Sequence, residues 1–322
     1  MRPARFAFLL ACALLGGTSP GVASSRAAET ERANVAERAE ITFAGYNLKN
    51  YLAMDRRVDG ESLEDAPKPD AEIEILIEMI HEIEPDILGV CEIGTESDLE
   101  DLASRLRAAG LDFPHREHTR AADPDRSLAI LSRFPIVSTD HQTDLSYLID
   151  KQKFSFSRGI LDVTVKVNED YRLRLLGLHL KSKRPVPEAD QALMRRNEAH
   201  LLRLHIDDIL EQDPEANLLV YGDFNDTRNE TPIKAVQGRF GSEDYLRDIW
   251  LMDDREERWT YYWRTADQYS RFDFVFASRG LFPELNLEHC RIATHENWYT
   301  ASDHRPLVIT LVAQNRKIPG KR

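Results

Sequence analysis

An α/β domain built on mixed β-sheets is what the sequence predicts, and three observations carry that reading. From residue 41 onward, apolar runs of strand length alternate with segments of helical periodicity, as strand–helix–strand units require. Two of the runs, "RGILDVTVKV" and "YRLRLLGLHL", are separated only by a turn at "NED", so they pair antiparallel. No internal repeat and no low-complexity linker divides 41–313, so one large domain accounts for that span.

The elements follow in chain order. Residues 1–25 join two arginines in "MRPAR" to the apolar run "FAFLLACALLGG" and the small polar stretch "TSPGVASS". That is the pattern of a secretory signal peptide, too short for a membrane span. A secreted or periplasmic protein is expected after its removal. Cys12 in "LLAC" weakly resembles a lipoprotein site, but the apolar run continues past it, which disfavours a lipid anchor. Residues 26–40 are charged and Ala-rich and read as a linker. "ITFAGYNL" reads as a strand. "PDAEIEILIEMIHEIEP" places Ile73, Leu76, Ile77, Ile80 and Ile83 at helical spacing and stops at Pro85. "DILGVCEI" is a strand buried on both faces. "SDLEDLASRLRAAG" reads as a helix with Ser97 and Glu100 as its capping box and Gly110 at its end. "SLAILSRFPIV" reads as one strand, ahead of the antiparallel pair. A helix from Pro187 to Glu211 carries Ala199, Leu202, Ile206 and Ile209 on one face. "NLLVYGDF" is a strand, 226–258 is loop-rich, and "RFDFVFAS" and "PLVITLVA" close the domain as strands. Residues 314–322 form a basic tail.

Bulk properties exclude some classes. The 322 residues are 42% hydrophobic and 30% charged, an ordinary globular balance. The 42 basic and 55 acidic side chains give a formal charge of −13, which loss of the two leader arginines takes to −15. That disfavours a protein that coats DNA, yet leaves room for an enzyme with a local basic cleft. No segment after the leader approaches the ~18 apolar residues of a membrane helix, so no stable membrane insertion is expected. Beyond the leader only Cys91 and Cys290 remain, too few for a disulfide framework, and Cys91 reads as a small buried hydrophobe.

Polar residues fall where a core would not choose them. Asn47 closes "ITFAGYN", Glu92 closes "DILGVCE", His179 closes "LLGLH", and Asp223 and Asn225 follow "LLVYG". Asp273 lies in "RFDFVF", and Asp303 with His304 immediately precedes the last strand. Singly, each has an ordinary reading: Asn47 as a turn residue, Glu92 as a cap, His179 as a structural histidine, "GDFND" as a loop. Strand ends are also where α/β proteins assemble sites, so the groups can converge.

The ordered set "YNLKN", "DILGVCE", "LHLKSK", "GDFND", "RFDFVF", "SDHRP" resembles the endonuclease/exonuclease/phosphatase superfamily over about Ile41 to Val312. The resemblance implies a four-layer α-β-β-α sandwich: two mixed β-sheets face to face, helices outside, and the active site at one rim. It also implies hydrolysis of a phosphate ester, which needs charge neutralisation, an activated water and a protonated leaving oxygen. By resemblance, Glu92 is a direct ligand for Mg²⁺ or Mn²⁺, with Asn47 and Asp303 beside it; a second divalent ion is left open. Asp223 orients or deprotonates the attacking water, or joins a second metal. Asn225 holds the phosphate through its amide, from the same face of an extended segment as Asp223. His304 pairs with Asp273, and His179 hydrogen-bonds the phosphate, as in the deoxyribonuclease and sphingomyelinase branches. Arg158, read as opening the strand "RGILDVTV", and Lys181, with Lys183 and Arg184 in "KSKRP", are the phosphate-side cations.

Two departures and two ordinary readings complete the picture. "IG" follows Glu92, so the minor-groove arginine of pancreatic-type deoxyribonucleases is missing, which weighs against a preference for duplex DNA. "RWTYYWRT" reads as a strand of core aromatics, and Asp226 as a solvated loop acid. The expectation is a secreted, metal-dependent phosphodiesterase, first of all a nuclease, on a phosphodiester substrate such as nucleic acid. A phosphomonoesterase or a sphingomyelinase-type phospholipase C shares the core and is the alternative. An inactive binding scaffold predicts an eroded site, whereas all eight key groups stand, and no protein partner is implied.

Overall fold

The structure, a computed structural model, describes residues 40–316 apart from Asp59. The expected leader, almost all of the expected linker, and residues 317–322 of the expected tail lie outside the described residues. Glu40, assigned to the linker, already belongs to the first strand.

Twelve strands make two six-stranded sheets. In the first, β1 (Glu40–Tyr51) lies parallel to β2 (Ile87–Ile93) at the centre. β3 (His115–Thr119) and β4 (Ser127–Ser132) extend it on the β2 side, all antiparallel. In the second sheet, β5 (Ile136–Thr139) and β6 (Leu161–Lys166) lead antiparallel to β7 (Arg172–His179). β7 runs parallel to β8 (Leu218–Asp223). Beyond β8 come β9 (Arg247–Asp248) at the edge and β10 (Asp273–Ala277) between them. β11 (Arg291–Ile292) and β12 (Leu307–Val312) close the first sheet beside β1. The orders are β11-β12-β1-β2-β4-β3 and β9-β10-β8-β7-β6-β5. Each sheet thus has one central parallel pair with antiparallel flanks.

Helices cover the outer faces. α1 (Asp70–Ile83) and α2 (Glu96–Ala108) bury Leu76, Ile80, Leu102 and Leu106 against Ala44, Tyr46, Leu88 and Val90 of the first sheet. α3 (Gln191–Gln212) and α4 (Thr231–Gln237) pack Leu202, Ile206 and Val236 on Leu176, Val220 and Phe274 of the second. The strand period of two therefore assigns alternate residues to helix-facing and sheet-facing layers. On the sheet-facing side Tyr221 crosses to the other sheet, its ring 4.6 Å from that of Phe43. A Cβ at Gly89 would lie 2.3 Å from the Tyr221 ring, so only glycine leaves room for it. Gly89→Ala is expected to destabilise the fold by about 3 kcal/mol through overpacking, read as a lower urea midpoint. A short turn, α5 (Trp298–Ala301), precedes the last strand. No helix among the described residues is long and apolar enough to cross a membrane.

Several local expectations need correction. "SLAILSRFPIV" is two strands in different sheets, because the chain turns at Pro135, which cannot donate to a ladder. The capping box of α2 is Thr95 with Asp98, two residues earlier than Ser97 with Glu100. α3 begins at Gln191 rather than Pro187, since the Asp190 carboxylate accepts from the Ala192 and Leu193 amides. The loop-rich span 226–258 holds α4 and β9. Three hairpins, Met54–Val58 with Glu61–Ala66, Ser146–Ile149 with Gln152–Ser155, and Tyr261–Trp263 with Gln268–Ser270, carry little of the apolar alternation that marks a strand.

Candidate active site

The two parallel pairs run the same way, so their C-terminal ends and the starts of β10 and β12 meet at one rim. Strand pairing sets the first row of the site. His179 is opposite Asp223 across β7–β8, and Asp223 is opposite Asp273 across β8–β10. All three alternate with helix-facing residues, so their side chains enter the space between the sheets. Asn47 reaches the same space from β1, in phase with Phe43 and Gly45. Each of these four is at most 5% exposed.

Glu92 arrives differently. Strict alternation would place it with Leu88 and Val90 under the helices, but its φ is +63° and the ladder shifts register between Cys91 and Ile93. This bulge re-aims the carboxylate at the rim. Gly222 has a related role: its φ is +144°, and a Cβ there would lie 2.0 Å from the Leu178 carbonyl oxygen. Asn225 also sits in the left-handed region, at φ +50°. It reaches the cleft through a turn closed by its own backbone N–H on Asp223 Oδ1 at 2.8 Å, not from an extended segment as expected. One amide hydrogen of Asn225 goes to the Leu180 carbonyl at 3.0 Å, leaving a second donor for a ligand. Left-handed residues gathered at one rim are backbone strain held in place by the surrounding contacts.

Asp223 is the hub. Asn47 Nδ2 lies 3.1 Å from its Oδ2, and the Nε2 atoms of His179 and His304 each lie 3.6 Å from that oxygen. His304 Nδ1 meets Asp273 Oδ2 at 2.8 Å. The serine of "SDH" ties the loop down, donating from Oγ to the Asn47 carbonyl at 2.7 Å and accepting the His304 N–H. Burial pushes Asp223 up to about 7. Burial opposes a charge on His304, but Asp273 and Asp223 outweigh it and raise the imidazole to about 10. His179 goes the other way, held well below its ordinary value by burial and by Arg158 and His304. The site therefore carries one imidazolium, His304, and one neutral imidazole, His179.

Three carboxylates, Glu92, Asp223 and Asp303, line the cleft at this rim. Glu92 Oε1 is 3.4 Å from Asn47 Nδ2, and Asp303 lines the same cleft as Glu92 and Asp223. Ligand atoms of Asp223, Asp273 and His304 also lie within 4.8 Å of one another, a second grouping that could hold a metal. His304 is already committed to Asp273, so the oxygen set of Glu92, Asn47, Asp303 and Asp223 is the better holder. An oxygen-rich, negatively charged set with Asp223 destabilised by burial fits a hard divalent cation.

The cleft occupies about 680 Å³. Arg126, Arg158, Lys181, Lys183 and Arg184 line it as a cationic wall together with the rings of Tyr261, Trp263 and Phe272, and the two sets meet where Lys183 Nζ lies 5.5 Å from the Phe272 ring. Arg158 precedes β6 by three residues rather than opening it, and pairs with Asp123 at 3.2 Å. The same Asp123 accepts the Arg126 N–H at 3.0 Å. Arg126, absent from the expected set, also donates from Nε to Asn50 Oδ1 at 2.8 Å, while the Asn50 N–H holds Glu92 Oε2 at 2.9 Å. "RWTYYWRT" is not a core strand. It forms a surface hairpin whose Trp263 and Tyr269 are half exposed, with rings packed on one another, Tyr262 to Tyr269 at 4.4 Å.

α3 supplies a buried bracket beneath the cationic wall. Glu198 accepts the Lys181 N–H at 2.6 Å and the Ser157 N–H at 3.4 Å, joining the Lys181 loop to the Arg158 loop. One turn away, Arg195 donates to the Lys181 carbonyl at 3.0 Å and to Asp226 at 2.8 Å. Asp226 is thus a buried partner of Arg195 and Lys183, not a solvated loop acid. The available signal was a charged pair, Arg195 and Glu198, at helical spacing with the buried Ala199 and Leu202.

The Endonuclease/Exonuclease/phosphatase family matches residues 46–304. No curated protein matches significantly. Among solved structures, an endonuclease/exonuclease/phosphatase from Beutenbergia cavernae is 20% identical, with a TM-score of 0.58, 86% of this chain and 72% of that one covered. Truncated Caenorhabditis elegans TDP2 is 16% identical, with a TM-score of 0.58 and 85% and 98% covered. The human Nocturnin catalytic domain, with a bound sulfate anion, is 18% identical, with a TM-score of 0.57 and 85% and 94% covered. These likenesses bear on the fold, which is the four-layer α/β sandwich expected. A matched span that begins at Tyr46 and ends at His304 takes in every residue of the rim, and the chain belongs to the endonuclease/exonuclease/phosphatase family of phosphoester hydrolases.

Proposed function

We propose that the chain is a secreted, divalent-metal-dependent phosphodiesterase whose substrate is nucleic acid. The cations and aromatic rings that together line the cleft around the His179–Asp223–Asp273 row carry this reading. A phosphodiester flanked by further phosphates and by bases matches both, whereas a small phosphomonoester engages the cations and leaves the rings without a partner. The signal-peptide pattern of residues 1–25 supports secretion.

Glu92, Asn47, Asp303 and Asp223 are the residues that would hold Mg²⁺ or Mn²⁺, which supplies Lewis-acid charge at phosphoryl oxygens. The chain's own groups divide the remaining work. Asp223 Oδ2 orients a water and takes its proton as the oxygen attacks phosphorus. His304, fixed through Nδ1 by Asp273, directs its Nε2 proton to the charge that develops on the phosphoryl group. Asn225 offers its second amide hydrogen to a phosphate oxygen. Neutral His179 lies beside Asp223 through Nε2 and stands over the leaving side with Arg158 and Lys181. The water oxygen bonds to phosphorus as its proton passes to Asp223, the ester bond breaks, and the leaving oxygen takes a proton from solvent in the open cleft.

One observation favours a second reading. The half-exposed Trp263 and Tyr269 on the hairpin beside the cleft suit insertion into a lipid surface, as a sphingomyelinase-type phospholipase C needs. A panel of single-stranded DNA, RNA, sphingomyelin, inositol phosphates and bis-p-nitrophenyl phosphate, with Mg²⁺ or Mn²⁺, separates the two. Turnover of the nucleic acids above sphingomyelin is expected. Turnover of sphingomyelin alone transfers the assignment to the lipase, and no turnover of any substrate removes the enzyme reading.

A further inference from the structure

A second concavity of about 740 Å³ lies on the flank of the second sheet, outside the catalytic rim. It begins where the cleft ends: Thr227 lines the cleft and Arg228 lines the groove. From there it follows the β9–β10 edge, with Ile249 bonded to Val275 and Arg247 opposite Ala277, down to Phe282. Four residue steps separate Asp273 at the rim from Ala277, about 13 Å of strand at ~3.3 Å per residue.

The groove combines arginines with rings. Arg228 and Arg258 lie over Trp250 at 4.3 and 4.0 Å, and Arg247 lies over Phe282 at 4.4 Å. Stacking a guanidinium on a ring fixes its plane while its N–H edge stays available, which is the arrangement that recognises phosphate. Of the carboxylates along the groove, Asp248 is held by two hydrogen bonds from Arg271, at 2.6 and 3.0 Å, with Arg228 Nε 3.6 Å away, and Glu243 pairs with Arg279 at 3.1 Å. On a chain of net charge −13, a lining of Arg228, Arg247 and Arg279 against Asp248 and Glu243 leaves a local positive balance beside the cleft. Phe240, 85% exposed and packed edge-on to Tyr245, adds an uncovered ring.

Resting on the nuclease reading above, we propose that this groove binds a single-stranded nucleic acid as it leaves the cleft, phosphates on Arg228 and Arg247 and a base on Phe240. A single strand is the occupant because its bases are free to meet exposed rings, whereas a duplex keeps them stacked inside. The groove is then a substrate track that favours long single strands over short esters.

The test uses the full chain with His304→Ala to silence cleavage, and a fluorescent single strand of about 12 nucleotides, a length on the scale of single-strand binding sites. Arg247→Ala and Phe240→Ala are each expected to raise Kd about tenfold, a loss within the range for one stacked base. Arg247→Ala should also lower the salt slope by about 0.7, one phosphate contact. In the His304 background, the same variants should leave kcat/KM on bis-p-nitrophenyl phosphate unchanged. Phe240→Ala keeps the test decisive if Arg247→Ala folds poorly, because so exposed a ring contributes little to the core. Unchanged Kd in both variants overturns the track while leaving the nuclease reading intact, provided the strand is cut. A wild-type chain that neither binds nor cuts single strands overturns both. Displacement of the strand by polyglutamate, with no cost from Phe240→Ala, assigns the groove to an acidic polypeptide and overturns the proposal.

Discussion

Replacing His304 with alanine is expected to lower kcat on bis-p-nitrophenyl phosphate by about 10³-fold, in the middle of the range for a positioned acid–base group. The expectation follows from position. His304 is the buried imidazole that bridges Asp273, at 2.8 Å, and Asp223, at 3.6 Å, and its charge faces the cleft. Asp273→Asn should cost less, because the imidazole stays in place but loses the carboxylate that holds its proton. Because each change leaves a polar group less satisfied, the loss of kcat must be compared with an unfolding curve for the same variant. A His304→Ala protein that folds and retains wild-type kcat would remove His304 from the chemistry.

Arg195→Ala is expected to destabilise the protein by about 3 kcal/mol, the low end of the cost of removing one member of a buried ion pair, because Lys183 still reaches Asp226 at 2.8 Å. Asp226, 4% exposed, loses its buried partner, and the Lys181 carbonyl loses its donor in the same step. Urea unfolding measures the first effect. A rise in KM on a polyanionic substrate measures the second, because Lys181 and Lys183 lose their support. A change in stability of less than about 1 kcal/mol would show that the bracket is decoration.

Glu198, the other buried side chain beneath the Lys181 loop, has a different signature. Burial raises its carboxyl to about 7, above the ordinary value near 4.3. The folded state then binds more protons than the unfolded state between those two values, so stability falls as pH rises through that window. The decline amounts to about 4 kcal/mol and is complete above pH ~8. Glu198→Gln removes the slope, so the difference in unfolding free energy between wild type and variant should change between pH ~5 and ~8. A difference that stays flat across that range would contradict the assignment.

Much of the site was legible because polar residues ending apolar runs have few other reasons to be there. His179, Asp223 and Asp273 each close or open a strand, Asn47 lies near the end of β1, and all four are buried between the sheets. Their grouping into one row was not legible, since register depends on which strands pair across long stretches of chain. Glu92 was found at a strand end although simple alternation sends it to the helix face; a bulge at a left-handed residue leaves no mark in a single sequence. Arg126 acts through Asn50 from a loop whose composition reads as an ordinary turn. "RWTYYWRT" misled for a related reason: aromatic content looks the same in a core strand and in a surface hairpin whose rings cover one another. Asp226 misled because its partner, Arg195, lies 31 positions away on the buried face of a helix.

The rim gathered by β1, β2, β7, β8 and β10 is proposed as a metal-dependent phosphodiesterase centre. Its most direct test is turnover of a single-stranded oligonucleotide by chelator-treated protein, before and after Mg²⁺ or Mn²⁺ is restored, with Glu92→Ala in parallel. Expected are no turnover in chelator, full recovery with either ion, and a Glu92→Ala protein that folds but recovers less than about 1% of wild-type activity, a loss of the size that follows when metal-assisted charge stabilisation is removed. Turnover that is unchanged in chelator, or a Glu92→Ala protein that recovers fully, would contradict it.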